Sequence, residues 1–227
     1  ADATSRGVLP TQLLAGHIPM LLKPDIKEAM VVGIGSGMTC GAILTHPGVE
    51  RLDAVEISAD VYIAARDHFA PFNHRALEDP RVEVILDDAK SFLRTSGRTY
   101  DLIVSEPSNP WMAGVSGVFS VEYYEACLAS LKPGGVLVQW VQIYETSEEA
   151  VNTVLATVRS VFPFFSLWQT LPGDLLLVAS AEPLRYDLEA TQQRFDEPAV
   201  TADLRRGGDF FFLGVFRRPL VGGAEVP

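Results

Sequence analysis

Four short stretches hold the residue types from which chemistry can be assembled. They are Gly33-Ile34-Gly35-Ser36-Gly37, the acid Glu56, the pair Asp87-Asp88, and VSEPSNPWMAG from Val104 to Gly114. Alternating Gly33, Gly35 and Gly37 permit a tight turn and let a ligand approach the backbone, while the helix that follows offers its first amide groups. The pattern misses the dinucleotide fingerprint GxGxxG, because Met38 stands where the third glycine would be. GxGxG suits a nucleoside that carries no pyrophosphate, or simply a strand-to-helix turn. Glu56 lies 19 residues beyond Gly37, where an acid accepts both ribose hydroxyls of a bound nucleoside. Asp87 and Asp88 stand where the base of that nucleoside would lie. An aspartate accepts from an exocyclic amino group, and a neighbouring backbone amide, such as that of Ala89, donates to a ring nitrogen. The fourth stretch sets Ser105, Glu106 and Asn109 between Pro107 and Pro110, followed by Trp111. Glu106 offers negative charge, Asn109 offers a hydrogen bond but cannot take a proton, and Trp111 either stacks on a ligand or packs on its own loop.

These stretches need a scaffold that brings them to one edge. Apolar runs at Met30 to Ile34, Leu52 to Ile57, Val82 to Leu86, Leu102 to Val104 and Val136 to Val141 read as strands buried on both faces of a parallel sheet. Helical spacing separates them. Tyr124, Cys127, Leu128 and Leu131 form one apolar face, ended by Lys132-Pro133-Gly134. Val151, Val154, Leu155 and Val158 form another, after an expected capping box from Thr146 to Glu149. FFSLWQT and DLLLVAS, joined by Leu171-Pro172-Gly173, predict an antiparallel hairpin at one edge of the sheet. The expectation is an α/β, doubly wound, mostly parallel sheet of seven strands, with ligands beyond the carboxyl ends of the strands. All four stretches stand at such ends. Residues 1–25 read as a lead-in and helix, 26–182 as the nucleoside-binding domain, and 183–227 as a helical or irregular appendage.

Composition removes several classes of function. Eighteen Lys and Arg against 29 Asp and Glu give a net charge of −11 over 227 residues, the wrong sign for gripping phosphates, so no nucleic-acid partner is expected. The acidity leaves room for a cationic substrate. Cys40 and Cys127 make no CxxC pair and read as reduced core residues of a cytoplasmic protein. His17, His46, His68 and His74 show no ligand spacing, so no metal site is expected. No apolar run approaches the ~20 residues of a membrane span. The start at Ala1 and the end at VGGAEVP read as the limits of a piece of something longer.

The order and spacing of HIPMLLKP, GIGSG, HPGVERLDAVEIS, DPRVEVILDDAKSFL, YDLIVSEPSNP, GVFSVEYYE and LKPGGVLVQ resemble the spermidine synthase family of aminopropyltransferases, from about Gln12 to Ser180. The resemblance implies a Rossmann-like methyltransferase fold. It also implies transfer of an aminopropyl group from decarboxylated S-adenosylmethionine to an amine such as putrescine, with release of methylthioadenosine. On it, Glu56 binds the ribose hydroxyls, Asp88 the adenine, Gly33 and Gly35 line the nucleoside, and Trp111 to Phe119 close over the site. A homodimer is a further expectation. Several positions depart from the family. Asn109 stands where the family has its second aspartate, the general base. Ser36 stands where the glycine loop carries an acid, and Leu171 replaces a tyrosine. The family's N-terminal β-hairpin region is absent before Thr11. These departures keep two alternatives open, an S-adenosylmethionine-dependent methyltransferase and a non-catalytic nucleoside-sensing or scaffold domain of a larger protein.

Overall fold

The computed structural model describes residues 7–107, 116–144, 146–208 and 219–222. Helix and strand alternate through most of it. The first half runs α1 (Leu9–Leu22), β1 (Glu28–Val32), α2 (Met38–Leu44), β2 (Arg51–Glu56), α3 (Ala59–His68), β3 (Val82–Leu86), α4 (Ala89–Thr95) and β4 (Tyr100–Ser105). The second runs α5 (Val121–Ser130), β5 (Leu131–Gln142), α6 (Glu148–Val161), β6 (Phe164–Leu171), β7 (Asp174–Ser180), α7 (Leu188–Phe195), α8 (Pro198–Leu204) and β8 (Pro219–Gly222). The strands lie in the order β3-β2-β1-β4-β5-β7-β6-β8. Those from β3 to β5 are parallel, and β7, β6 and β8 are antiparallel additions. The strand order reverses between β1 and β4. That crevice is where a doubly wound sheet binds its ligand.

The sheet is covered on both sides because side chains alternate along each strand. In β4, Leu102 and Val104 join the cluster packed under α1 and α2, while Ile103 joins the one packed under α4, α5 and α6. Cys40 lies in the first cluster and Cys127 in the second, both buried and unbridged. Helix α1 is buried along nearly its whole length. Gly16 makes that possible, since a Cβ there would stand 2.6 Å from the Ala42 Cβ of α2.

All seven expected strands form, β3 and β7 with the expected limits and the others with shifted ends. β1 stops at Val32 because Gly33 leaves the ladder at φ +84°. β2 stops at Glu56, leaving Ile57 outside the sheet and exposed. β3 lies at an edge and is not buried on both faces. Three other expectations are corrected. Leu131 caps α5 in an extended conformation and opens β5 instead of completing the helical face. The cap of α6 is Ser147, whose hydroxyl accepts from Ala150 N–H at 3.2 Å, and not Thr146. Within the appendage, four residues form β8 against β6, a strand too short to carry an alternating pattern.

The histidines converge although their spacing gave no sign of it. His17 Nε2 lies 2.9 Å from Asp203 Oδ2, His17 Nδ1 lies 2.9 Å from His46 Nε2, and His74 Nε2 lies 2.6 Å from Asp203 Oδ1, which Arg206 also contacts. Asp203 accepts from His17 Nε2–H, which leaves His17 Nδ1 to accept from His46 in the neutral pair. The cluster ties α8 to α1 and to the turns after α2 and α3. Burial pushes the Asp203 carboxyl up, but His17, His74 and Arg206 outweigh it and hold it below the usual carboxylate range. Burial, with His17 beside it, lowers His46 to about 3. An imidazole held neutral contributes stability that is complete above its unfolded value near 6.5 and is lost as pH falls from there towards 3. Urea unfolding of the wild type should therefore show stability falling by a few kcal/mol over that window. His46→Gln, which keeps a donor for His17 but cannot titrate, should flatten the slope, and an equal slope in both proteins would remove His46 as its source.

Candidate active site

The turn between β1 and α2 is built by three glycines with positive φ, +84° at Gly33, +54° at Gly35 and +78° at Gly37. A Cβ at Gly33 would meet the Glu106 carbonyl oxygen at 2.8 Å, so this position brings the tips of β1 and β4 together. A Cβ at Gly35 would find its nearest neighbour, Gln12 Nε2, at 4.0 Å, which leaves its face open to a ligand. At Gly37 the crowding comes from Asn73, whose side-chain amide donates to the Ser36 carbonyl at 2.9 Å. Ser36 itself is fully buried, its hydroxyl 3.4 Å from Gln12 Oε1.

Glu56 is 7% exposed, and both carboxylate oxygens accept backbone N–H groups at 2.9 Å, Oε2 from Ile34 and Oε1 from Ser58. Each oxygen keeps a further lone pair for a hydroxyl donor. The residue therefore shapes the glycine turn as well as standing at a strand tip. At the next tip, Asp88 caps α4 by accepting from Ser91 N–H at 2.8 Å, and Asp87 accepts from Asp88 N–H at 2.8 Å. Ala89 occupies the first helical position, whose N–H has no partner within a helix. Two residues missed in the sequence complete this end. Ile57, one residue past β2, is 74% exposed, and Leu86, which closes β3 opposite Glu56, is 53% exposed. Their signal was available: each is an apolar residue next to an acid at a strand tip.

Glu106 follows β4, its N–H donating to the Val32 carbonyl at 2.9 Å. Part of its surface stays accessible, yet the surrounding protein raises its carboxyl to about 8, with only the Thr39 hydrogen bond opposing. Among the described residues no cation pairs with it. Cys40 lies close enough for burial and the Glu106 charge together to push its thiol up to about 12. Ser105 is fully buried, its hydroxyl accepting from Tyr123 at 2.9 Å. Beside it, Gln139 Nε2 donates to the Trp140 carbonyl at 3.1 Å and reaches the Ser105 carbonyl at 3.4 Å, while Gln139 Oε1 is buried without a partner. Gln139 and Gln12 were also missed, being polar residues inside apolar runs with no local motif. Asn109 and Trp111 lie outside the described residues.

This geometry can be set beside known proteins. The profile of the spermine/spermidine synthase domain matches residues 11–181. The chain belongs to that family. A polyamine aminopropyltransferase of Nitrosomonas europaea is 32% identical over 183 residues, covering 78% of this chain and 55% of that protein. One from Clostridium perfringens is 31% identical, covering 76% of this chain and 64% of its own length. This member of the family thus spans between half and two thirds of those curated relatives. A spermidine synthase solved with the transition-state analogue AdoDATO shares the fold, with a TM-score of 0.71 at 23% identity over 86% of this chain and 75% of that one. Among the described residues no cluster could hold a metal ion, and no helix is long and apolar enough to cross a membrane.

The clamp formed by Glu56 changes what its removal does. Ile34 and Ser58 N–H both depend on its carboxylate, so the fold loses support along with the site. Glu56→Gln keeps one acceptor oxygen and turns an NH₂ group towards the other amide. Stability should fall by roughly 1–3 kcal/mol, measured by urea unfolding, and an unchanged midpoint would show that the clamp is dispensable.

Proposed function

We propose that this domain is the donor-binding and catalytic unit of an aminopropyltransferase, using decarboxylated S-adenosylmethionine and a polyamine acceptor. The amine nitrogen attacks the methylene carbon beside the sulfonium, the carbon–sulfur bond breaks with its electron pair passing to sulfur, and methylthioadenosine leaves. The partners are then a nucleoside donor and an amine. The free, buried Cys40 and Cys127 fit a reducing, cytoplasmic setting.

The observation that carries this reading is the carboxyl of Glu106. An attacking amine must shed a proton, and an alkylammonium holds it with a pKa of about 10.4. A carboxylate near its ordinary value would be a poor match, about six units weaker as a base. Raised to about 8, Glu106 comes within roughly two to three units of the amine, which favours proton transfer. It can therefore fill the role for which Asn109 is chemically unfit. The unpartnered Gln139 Oε1 supports the same reading, because an ammonium group is donor-only and needs acceptors. On the donor side, Glu56 would take the ribose hydroxyls. Asp88 and the Ala89 N–H would take the adenine edge, Ile57 and Leu86 its faces, and Gly33, Gly35 and Gly37 the open backbone beside the sulfonium chain.

Release of methylthioadenosine from decarboxylated S-adenosylmethionine with putrescine is the direct test. The active base is the ionised form, so kcat/KM should rise with pH through about 8 and fall away below it. Glu106→Gln, of nearly the same shape, should lose roughly 10²- to 10⁴-fold in rate while binding methylthioadenosine as tightly as the wild type. Full activity in that variant would exclude Glu106 as the base, and absence of turnover with every amine tried would exclude the transferase reading itself.

A further inference from the structure

We infer that Thr39 is a positioning residue for Glu106, a hydroxyl that lets the carboxyl change protonation state without any heavy atom moving. This deepens the reading of Glu106 as proton acceptor and rests on it. Thr39 is 2% exposed, in the first turn of α2. Its Oγ1 lies 2.9 Å from the Gln12 carbonyl oxygen of α1 and hydrogen-bonds Glu106 Oε1 at the tip of β4. Thr45, Thr95, Thr153 and Thr157 bond to carbonyls four residues back on their own helices. Thr39 instead joins two other elements.

The proton count makes this arrangement a switch. A hydroxyl has one proton to give, and a carbonyl oxygen can only accept. When Glu106 is ionised, Thr39 donates to it, and the Gln12 carbonyl keeps the N–H that α1 supplies from four residues on. When Glu106 carries a proton, the acid donates to Thr39 Oγ1, and the hydroxyl proton turns to the Gln12 carbonyl. Both states leave the Thr39 hydroxyl and the Gln12 carbonyl satisfied, and in Thr39 they differ only by a hydroxyl rotation. The ionised state gains more from Thr39, because a bond to a charged acceptor is about twice as strong as one to a neutral group.

Among the described residues Thr39 is the one side-chain donor to the carboxyl. Cys40 on α2 is the titratable group coupled to Glu106 by charge, and it stays a thiol. Gln12 and Ser36 are neutral. The Glu56 carboxylate on β2 faces the backbone of Ile34 and Ser58, and the Tyr123 phenol on α5 is spent on Ser105. No Lys, Arg or His among the described residues pairs with the carboxyl.

The test follows the carboxyl directly, by infrared difference or carbon-13 NMR titration of the protein, with Glu106→Gln to assign the signal. Thr39→Val keeps the shape and removes the hydroxyl, and Thr39→Ser keeps the hydroxyl. The Glu106 titration should move up by about one to two units in Thr39→Val and return close to wild type in Thr39→Ser. At pH 7, kcat/KM for methylthioadenosine release should fall roughly 10- to 100-fold in Thr39→Val, with the loss shrinking as pH rises and methylthioadenosine affinity unchanged. Should Thr39→Val not fold, Thr39→Ala removes the same hydroxyl with less bulk and carries the same expectation. An unmoved titration in the hydroxyl-free variant, or a loss equal at every pH and shared by Thr39→Ser, would overturn the inference and leave the transferase reading standing. Absence of turnover in the wild type would instead overturn the reaction, while the shift in titration would still report the coupling of Thr39 to Glu106.

Discussion

A carboxyl group held at the tip of a central strand, with no cation among the described residues to pair it, is the constraint from which the site is built. Desolvation favours the neutral form, so such a group either gathers donors or becomes a weak acid. Glu106 has the one hydroxyl of Thr39 and rises to about 8. A lysine or arginine alongside would return it to the ordinary range and remove its use as a base. Lys132 is bound by Glu28 at 2.5 Å and Asp101 at 3.1 Å, and Arg98 by Glu83 at 2.8 Å and Asp53 at 2.9 Å. These pairs lie towards the amino ends of the parallel strands. Glu56, Asp88 and Glu106 stand instead at the carboxyl ends.

Much of that edge was legible because it is local. A glycine turn, an acid closing the second strand and a pair of acids after the third are each written within a few residues. Their order along the chain becomes their order in space once the sheet is parallel. The strand limits were less legible, since an apolar residue just past a strand reads as part of it. Ile57 is assigned to the second strand on hydrophobicity, whereas it stands one residue past β2 and is exposed. Glu56 was legible as an acid at a tip but not as a clamp, because its partners are backbone amides, which leave no trace in residue identity.

Contacts between distant segments were not legible at all. His17 and Asp203 meet across 186 positions and His74 and Asp203 across 129. No spacing rule links such residues, and three of the four histidines belong to one clamp. The meeting of Thr39 with Glu106 across 67 positions belongs to the same class. It depends on α1 lying against α2, which depends in turn on Gly16 being small.

The difference between legible and illegible contacts also separates the strand tips from the contacts around α1. The strand tips would be recognisable on any sheet of this order. A second set of contacts joins the first turn of α1, the end of β5 and the β6–β7 hairpin. Thr11 lies 2.7 Å from Thr170 and donates to Asp174 at 3.0 Å, while Trp140 Nε1 donates to the other oxygen of Asp174 at 3.1 Å. Asp174 pairs in register with Gln142, three residues further out along β5 than Gln139. Leu171, the last residue of β6, pairs in register with Asp174 in that same hairpin. The polar network of the hairpin anchors α1 through Thr11, and the neighbouring Gln12 carbonyl lies 2.9 Å from the Thr39 hydroxyl. The seat of α1 therefore couples the hairpin to the hydroxyl that bonds Glu106, a connection across three segments that no local pattern in the sequence carries.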